Sequence, residues 1–296
     1  MSYDYLESSR YSGTPVKLYL IRGALNDETT ETIGPWGFNN GETPINRVIG
    51  KKPNGADHIL TFEPWPIANT TISHDGTLDK SDVTITMARG SPIDDVFLAY
   101  PPSQVVNLTI FEGHMTDTPT EANFPAIWMG RILSSSYTES NEIELSCQPV
   151  STSLRRPGLR RNYQTGCPHV LYGTECGANR AAATVSRTIE SIARNQINFT
   201  GVLSTTPERY IGGLVEWINS VTGGRELRTI SAIPANARGV VVRGLIRGLA
   251  AGATISVIRG CNRQMSGCNQ HSNIVNYGGQ PFIPLENPLS SKNQFY

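Results

Sequence analysis

Four of the five cysteines occur in two pairs whose residue types suit metal binding. Cys167 and Cys176 lie in the stretch TGCPHVLYGTECG with eight residues between them, and Cys261 and Cys268 lie in RGCNRQMSGCNQ with six between them. Each pair begins with Gly-Cys, and a glycine beside a ligand allows the backbone to bend closely around a metal. Thiolates bind zinc and iron–sulfur clusters, and thiols in an oxidising compartment form disulfides.

The spacing of the pairs leaves several roles open. Structural zinc sites usually use shorter Cys-Cys spacings, and ferredoxin spacings are also tighter, but a larger cluster accepts ligands from loops of varied length. Disulfides remain possible if the mature particle lives outside a cell. His169 and His271 lie beside the pairs and could replace a thiolate, whereas Cys147 is predicted to be a buried, small apolar residue. A metal site, disulfides and unpaired core thiols therefore remain as alternatives.

The sequence offers little support for a catalytic role of these cysteines. Cys167-Pro-His169 places a thiol near an imidazole, but nucleophilic catalysis needs an activated thiolate paired with its base in space, which residues two apart rarely achieve. The chain contains no G-x-S-x-G elbow, no H-E-x-x-H motif and no P-loop lysine motif. The sequence therefore predicts that the protein is not an enzyme.

The composition favours β structure in two domains. The chain has 296 residues, of which 38% are apolar and 17% charged, and it contains 28 glycines and 19 prolines. Abundant Thr, Ser, Asn, Ile and Val are typical of strands joined by many turns. Residues 1–150 carry 9 basic and 19 acidic residues, whereas residues 151–296 carry 16 and 6. This asymmetry indicates two domains with different electrostatic roles.

Short alternating segments predict the N-terminal domain. The stretch DVTITMARG at 82–90 alternates apolar and polar residues as a strand does, and DVFLAY at 95–100 is predicted as a further strand. Residues 24–56, rich in Gly, Asn and Pro, are predicted to form a long loop. The series of short strands predicts a tube-like β-barrel or sandwich over residues 1–153.

The second domain is predicted to span residues 154–296 and to contain both cysteine pairs. It begins with LRRPGLRRNYQTG, in which four arginines surround a Pro-Gly turn, namely Arg155, Arg156, Arg160 and Arg161. Between the pairs, a series of strand candidates predicts an inserted small β module at about 178–260. Its first segment, residues 183–199, is predicted to be a β-hairpin.

No apolar targeting or membrane segment is visible. The N-terminal stretch MSYDYLESSRYSG lacks the apolar core of a secretory signal, and no segment approaches the ~18 consecutive apolar residues of a membrane helix. We therefore expect a soluble product made in the cytoplasm, without stable membrane insertion and with reduced thiols.

The cysteine stretches and their surroundings resemble a known family. RRPGLRRNYQTGCPHVLYGTECG is followed by a β module beginning YIGGLVEWINSVTGGRELRTI and then by GCNRQMSGCNQHSNIVNYGGQPFIP. These stretches resemble the tail hub proteins of siphophages and gene transfer agents over roughly residues 145–285. They are more distantly similar to the minor tail protein of lambda-type phages. The long stretch between the pairs departs from the lambda-type pattern and resembles the gene-transfer-agent branch.

The resemblance implies a [4Fe–4S] cluster on Cys167, Cys176, Cys261 and Cys268. The four arginines could offset the negative charge of such a cluster, or they could form an exposed basic linker. It implies a structural virion protein of the tail tip or baseplate hub, assembled in the host cytoplasm. Such a protein forms a homo-oligomeric ring, a trimer by family analogy, between the distal tail protein and the central fibre or receptor-binding protein. DNA would meet it only in passage through the lumen, which acidic residues of the first half could line.

Two functions of other classes remain open on the residues alone. One is a disulfide-stapled receptor-binding or adhesion module, and the other is an iron–sulfur or zinc redox protein. Iron and sulfide content would separate a cluster protein from the disulfide-stapled module, and reversible reduction with a dedicated partner would favour the redox protein.

Overall fold

The computed structural model forms two compact units. One comprises residues 1–156 with 219–226, and the other comprises residues 157–218 with 227–296. Strands dominate both, so the prediction of a mainly β protein is confirmed. The structure describes residue 8 and residues 13–23, 25–26, 30–31, 34–52, 54–72, 81–97, 102–120, 123–155 and 162–283.

Eleven strands in the described residues precede the first cysteine pair. They are β1 Pro15–Gly23, β2 Leu25–Asn26, β3 Thr30–Glu31, β4 Trp36–Asn39, β5 Ile45–Lys51, β6 Asp57–Pro64, β7 Ile67–Asn69, β8 Val83–Ala88, β9 Val106–His114, β10 Ala126–Tyr137 and β11 Glu142–Pro149. Nine of these described strands form one sheet in the order β5-β6-β4-β1-β9-β10-β11-β8-β7, and β2 pairs with β3. Neighbours are antiparallel except β4 and β6, which run parallel.

Strand β1 is an inner strand of this sheet, next to the middle strand β9, and is covered on both faces. It pairs with β9 in one register along its whole length, with Tyr19 opposite Ile110. Tyr19 and Ile21 belong to one hydrophobic cluster together with residues of β8 to β11. The alternate positions of β1 belong to a second cluster, whose buried members are Val16, Leu18, Leu20, Phe62, Phe111 and Phe124. Successive side chains of a strand point to opposite faces of the sheet, so β1 contributes side chains to both hydrophobic clusters.

The prediction of a strand at 95–100 is wrong where the structure describes it. Residues Pro92–Phe97 form helix α1, and the rest of the segment lies outside the described residues. Proline is favourable at the first helical position, and the Asp94 carboxylate accepts the Gly90 N–H at 2.5 Å. The buried apolar side chains follow helical spacing, at Ile93, Val96 and Phe97.

The prediction of a long loop over 24–56 is also wrong, because β4 and β5 lie within it. Three of the four residues of β4 are buried, and β4 pairs with β1 on one side and β6 on the other. A Cβ at Gly37 would lie 2.9 Å from the Thr61 carbonyl oxygen. Glycine here permits close approach of two strands, which composition alone does not distinguish from a turn.

Six strands between the cysteine pairs form a closed barrel. They are β12 Thr184–Ala193, β13 Gln196–Phe199, β14 Leu214–Ile218, β15 Arg225–Ala232, β16 Gly239–Val242 and β17 Thr254–Ile258. The order is β12-β13-β16-β15-β14-β17, and β17 pairs back onto β12. The hairpin prediction for 183–199 is confirmed, since β12 and β13 are antiparallel with Ile192 opposite Ile197.

The barrel interior is an apolar core. Its buried members are Ile189, Ile197, Phe199, Leu203, Tyr210, Val215, Trp217, Ile230, Val240, Val242, Ile255 and Val257. The indole N–H of Trp217 donates to the Arg247 carbonyl oxygen at 2.8 Å, so its polar atom is satisfied inside the core.

The segments flanking the barrel have little regular structure. Helix α2 spans Met265–Gln270. Short 3-10 turns occur at Val150–Arg155, Ala181–Ala183, Pro207–Tyr210 and Ile274–Asn276. In the part of the chain that is described, no helix has the length and apolar character needed to cross a membrane.

Truncation of Phe199 tests the barrel core. Phe199 is fully buried, so Phe199→Ala leaves a cavity and is expected to lower the free energy of barrel unfolding by about 3–5 kcal/mol. Val202 is 55% exposed, and Val202→Ala is the control, with an expected loss below about 0.5 kcal/mol. Guanidinium unfolding followed by circular dichroism measures both losses. Equal losses would contradict the assigned core.

Candidate metal centre

Closure of the barrel brings the two cysteine pairs together. Thr184, at the start of β12, lies opposite Ile258, at the end of β17. The chain therefore enters and leaves the barrel at neighbouring points. Cys176 precedes Thr184 by eight residues, and Cys261 follows Ile258 by three. The two cysteine pairs are separated by 84 residues in sequence, and the pairing of β12 with β17 makes them neighbours in space.

The four paired cysteines face a common region. Cys167, Cys176 and Cys268 are buried, and Cys261 is partly exposed. Burial raises the pKa of Cys268 to about 11, and the charges of Cys261, Cys167 and Cys176 add to the increase. Contacts bring the cysteine-bearing segments together, since the Cys167 N–H donates to the Arg263 carbonyl oxygen and Asn273 Nδ2 lies 3.7 Å from Cys176 Sγ. Their role as ligands stays a prediction.

The first cysteine is held against the loop of the second pair. The Cys167 N–H donates to the Arg263 carbonyl oxygen at 2.7 Å. Two residues earlier, the Thr165 carbonyl oxygen accepts the Tyr277 hydroxyl at 2.5 Å. Segments from both sides of the barrel are therefore joined by hydrogen bonds next to Cys167.

The Cys261 sulfur receives a backbone hydrogen bond. The Arg263 N–H donates to Cys261 Sγ at 3.4 Å, with Arg263 in the left-handed region at φ 62°. A Cβ at Gly267 would lie 2.9 Å from the same sulfur. Glycine before Cys268 therefore lets α2 approach Cys261 closely. Hydrogen bonds to sulfur are characteristic of thiolates that bind iron–sulfur clusters.

Tyr172 and His271 connect the cysteine loops to the end of the barrel. The Tyr172 hydroxyl donates to the Arg259 carbonyl oxygen at 2.6 Å, and His271 Nε2 lies 2.9 Å from the Gly260 carbonyl oxygen. Their rings meet edge to face, with centroids 5.7 Å apart. Burial raises the pKa of Tyr172 to about 12, so its hydroxyl remains a donor at neutral pH.

The two histidines predicted as possible substitute ligands both face protein oxygen atoms. His169 Nδ1 lies 3.1 Å from the Asn276 carbonyl oxygen, and its Nε2 lies 3.5 Å from Glu175 Oε2. A Cβ at Gly278 would lie 2.4 Å from His169 Nε2, so this glycine makes room for the imidazole. His271 contacts Gly260 as described above. These imidazoles support the loops, which favours the four thiols as the donor set.

The four thiols match the ligand type and number that a [4Fe–4S] cluster requires. In the described residues, no three His, Cys, Asp or Glu side chains lie close enough to hold one metal ion. All five cysteines are free thiols. In a [4Fe–4S] cluster each thiolate binds a different iron, so the thiols stand farther apart than the ligands of one zinc ion. Four buried or half-buried thiols, one of which accepts a backbone N–H on its sulfur, suit that group.

Several supporting residues escape prediction from sequence. Asn273, Tyr277 and Arg263 form hydrogen bonds to the cysteine loops, yet nothing in cysteine spacing identifies them. The signal available was the polar, glycine-rich stretch NQHSNIVNYGGQ after Cys268. The side chains of the four predicted charge-compensating arginines, at 155, 156, 160 and 161, lie outside the described residues.

Comparisons with known proteins found a phage protein family and a solved chain of a virion particle. The family described as phage conserved hypothetical protein BR0599 matches residues 208–287, which include the second cysteine pair. A chain from the virion of a native gene transfer agent particle superimposes with a TM-score of 0.72 and 14% identity. The match covers 98% of this chain and 96% of that chain. The two chains share a fold. Among curated proteins, none matches the sequence significantly.

Thiol reactivity tests the arrangement of the cysteines. Cys261 is partly exposed, whereas Cys147 is buried and burial raises its pKa to about 12. Thiolates are the reactive form, so in folded, iron-free protein at pH 8 we expect alkylation of Cys261 well before Cys147. Timed alkylation followed by peptide mass spectrometry measures the order. In denaturant both should react quickly, and early modification of Cys147 in the folded protein would contradict the assignment.

Proposed function

We propose that this protein is a structural component of a phage-like or gene-transfer-agent tail tip. In this proposal it forms a hub ring, a trimer, which joins the distal tail protein to the central fibre or receptor-binding protein. The observation that carries the proposal is the fold shared with a virion chain along almost the whole length of both chains. The family match to a phage protein at residues 208–287 supports it independently.

A [4Fe–4S] cluster is the second part of the proposal. Cys167, Cys176, Cys261 and Cys268 would hold it, and four iron–thiolate bonds would tie both cysteine loops together. The support is their convergence beside the β12–β17 pairing and the hydrogen bond from Arg263 N–H to Cys261 Sγ. Because each iron would receive one protein thiolate, no iron is left open to a substrate. The role we propose is therefore structural and not enzymatic.

Iron and sulfide analysis tests the cluster. Anaerobically purified protein is expected to contain about four iron and four sulfide per chain, with broad visible absorption. Cys167→Ser should lose most of both, because it removes one buried ligand, whereas Cys147→Ser should retain both, since Cys147 lies in strand β11. Iron-free wild-type protein would overturn the cluster, and bound zinc or disulfides detected by mass spectrometry would support the alternatives.

Particle assembly tests the hub role. In particles that depend on this chain, Cys167→Ser is expected to lower the yield of infectious or DNA-transferring particles, with Cys147→Ser as the matched control. Electron microscopy should show a ring of the chain at the tail tip. Normal tails from Cys167→Ser would refute the structural clamp. Absence of the wild-type chain from the tail tip would refute the hub itself.

A further inference from the structure

Asn273 contacts two of the four cysteines, one from each pair. Its backbone N–H donates to the Cys268 carbonyl oxygen at 3.0 Å. Its side-chain Nδ2 donates to the Cys176 carbonyl oxygen at 2.5 Å and lies 3.7 Å from Cys176 Sγ. Asn273 therefore connects the end of α2 to the last cysteine before the barrel.

A neighbouring residue sets the orientation of the Asn273 amide. Asn276 Nδ2 donates to Asn273 Oδ1 at 2.8 Å, so the oxygen of the amide faces Asn276 and the nitrogen faces Cys176. Gly177 makes room for this contact, because a Cβ there would lie 3.1 Å from Asn276 Nδ2, and its φ of 63° suits glycine. The hydrogen-bond network thus determines which end of the amide meets the sulfur.

We infer that Asn273 is a positioning residue, which holds Cys176 for the cluster and donates a hydrogen bond to its sulfur. This inference rests on the [4Fe–4S] cluster of the proposed function. A donor on a cluster thiolate stabilises the reduced state, which carries more negative charge, and so raises the reduction potential. Residues that orient metal ligands typically change metal affinity about 10–100-fold when they are replaced. A residue that only capped α2 would not affect the potential.

Three variants of this network test whether Asn273 positions Cys176 for the cluster or only stabilises the end of α2. Asn273→Ala removes the donor, and Asn273→Asp keeps the shape but replaces the donor with a negative acceptor. Asn276→Ala leaves Asn273 in place but removes the contact that orients its amide. We expect reduction potentials to become more negative in the order wild type, Asn276→Ala, Asn273→Ala, Asn273→Asp. Iron loss to a chelator should be about tenfold faster in Asn273→Ala.

The matched control is Ser231→Ala. The Ser231 hydroxyl donates to the Val241 carbonyl oxygen at 3.0 Å, so this change removes a comparable side-chain hydrogen bond away from the cysteine loops and from the β12–β17 pairing. We expect it to leave the potential unchanged. Potentials are measured by titration with EPR detection, and iron loss by the decrease in visible absorption.

The outcomes distinguish this inference from the proposal beneath it. Wild-type protein without iron and sulfide overturns both. A wild-type cluster combined with unchanged potential and iron retention in Asn273→Ala overturns the inference alone. If Asn273→Ala does not fold, Asn276→Ala is the test instead. Its reduction potential must then be more negative than that of the wild type, and an unchanged potential overturns the inference. An equal shift of the potential in Ser231→Ala would show a general effect of loosening and would also overturn the role of Asn273.

Discussion

The antiparallel pairing of β12 with β17 is the constraint on which the candidate metal centre depends. It closes the barrel and fixes the two points at which the chain enters and leaves it. On the other side of β17, glycines allow close contact with the segment before β14: a Cβ at Gly213 would lie 2.1 Å from the Ile258 carbonyl oxygen, and one at Gly260 would lie 2.1 Å from the Ile211 carbonyl oxygen. Close backbone contact directly before Cys261 therefore sets the position of that cysteine. The position of Cys261 therefore depends on the barrel strands more than on the loop that contains it.

Sequence patterns predicted the barrel strands better than the irregular parts of the N-terminal sheet. Strands such as β17 carry apolar residues at alternate positions or in short β-branched runs, which indicate strands whatever their partners. The segment of α1 was predicted as a strand because Val96 and Phe97 are adjacent apolar residues. Its helical character shows only when Ile93, three residues before Val96, and the proline at the helix start are considered as well. The short strand β4 contains glycine, and only its pairing with β1 and β6 identifies it. Such long-range pairing is invisible in local composition.

The candidate site was predictable in its residue types but not in its surroundings. The two Gly-Cys pairs identified four candidate ligands, while their spacing left metal and disulfide both open. The contacts around these cysteines are three-dimensional: a backbone N–H on Cys261 Sγ, and Asn273 beside Cys176. Each arises from loops that meet only after the barrel closes. Asparagine and glycine in loops are common, so their presence near cysteines carries little information until the contacts are known.

The nature of the cross-link decides how it can stabilise the chain. A disulfide between the pairs would persist after unfolding, and closing so long a loop in the unfolded chain is worth about 4–5 kcal/mol. A cluster behaves differently, because its four ligand positions coexist only when β12 pairs with β17, so unfolding releases it. The proposed clamp would therefore stabilise by binding the folded chain in preference to the unfolded one. The twelve-residue barrel core contains no cysteine, so its apolar packing can form without the metal. It follows that the barrel would organise the proposed cluster site, and a bound cluster would then fix the two cysteine loops to each other.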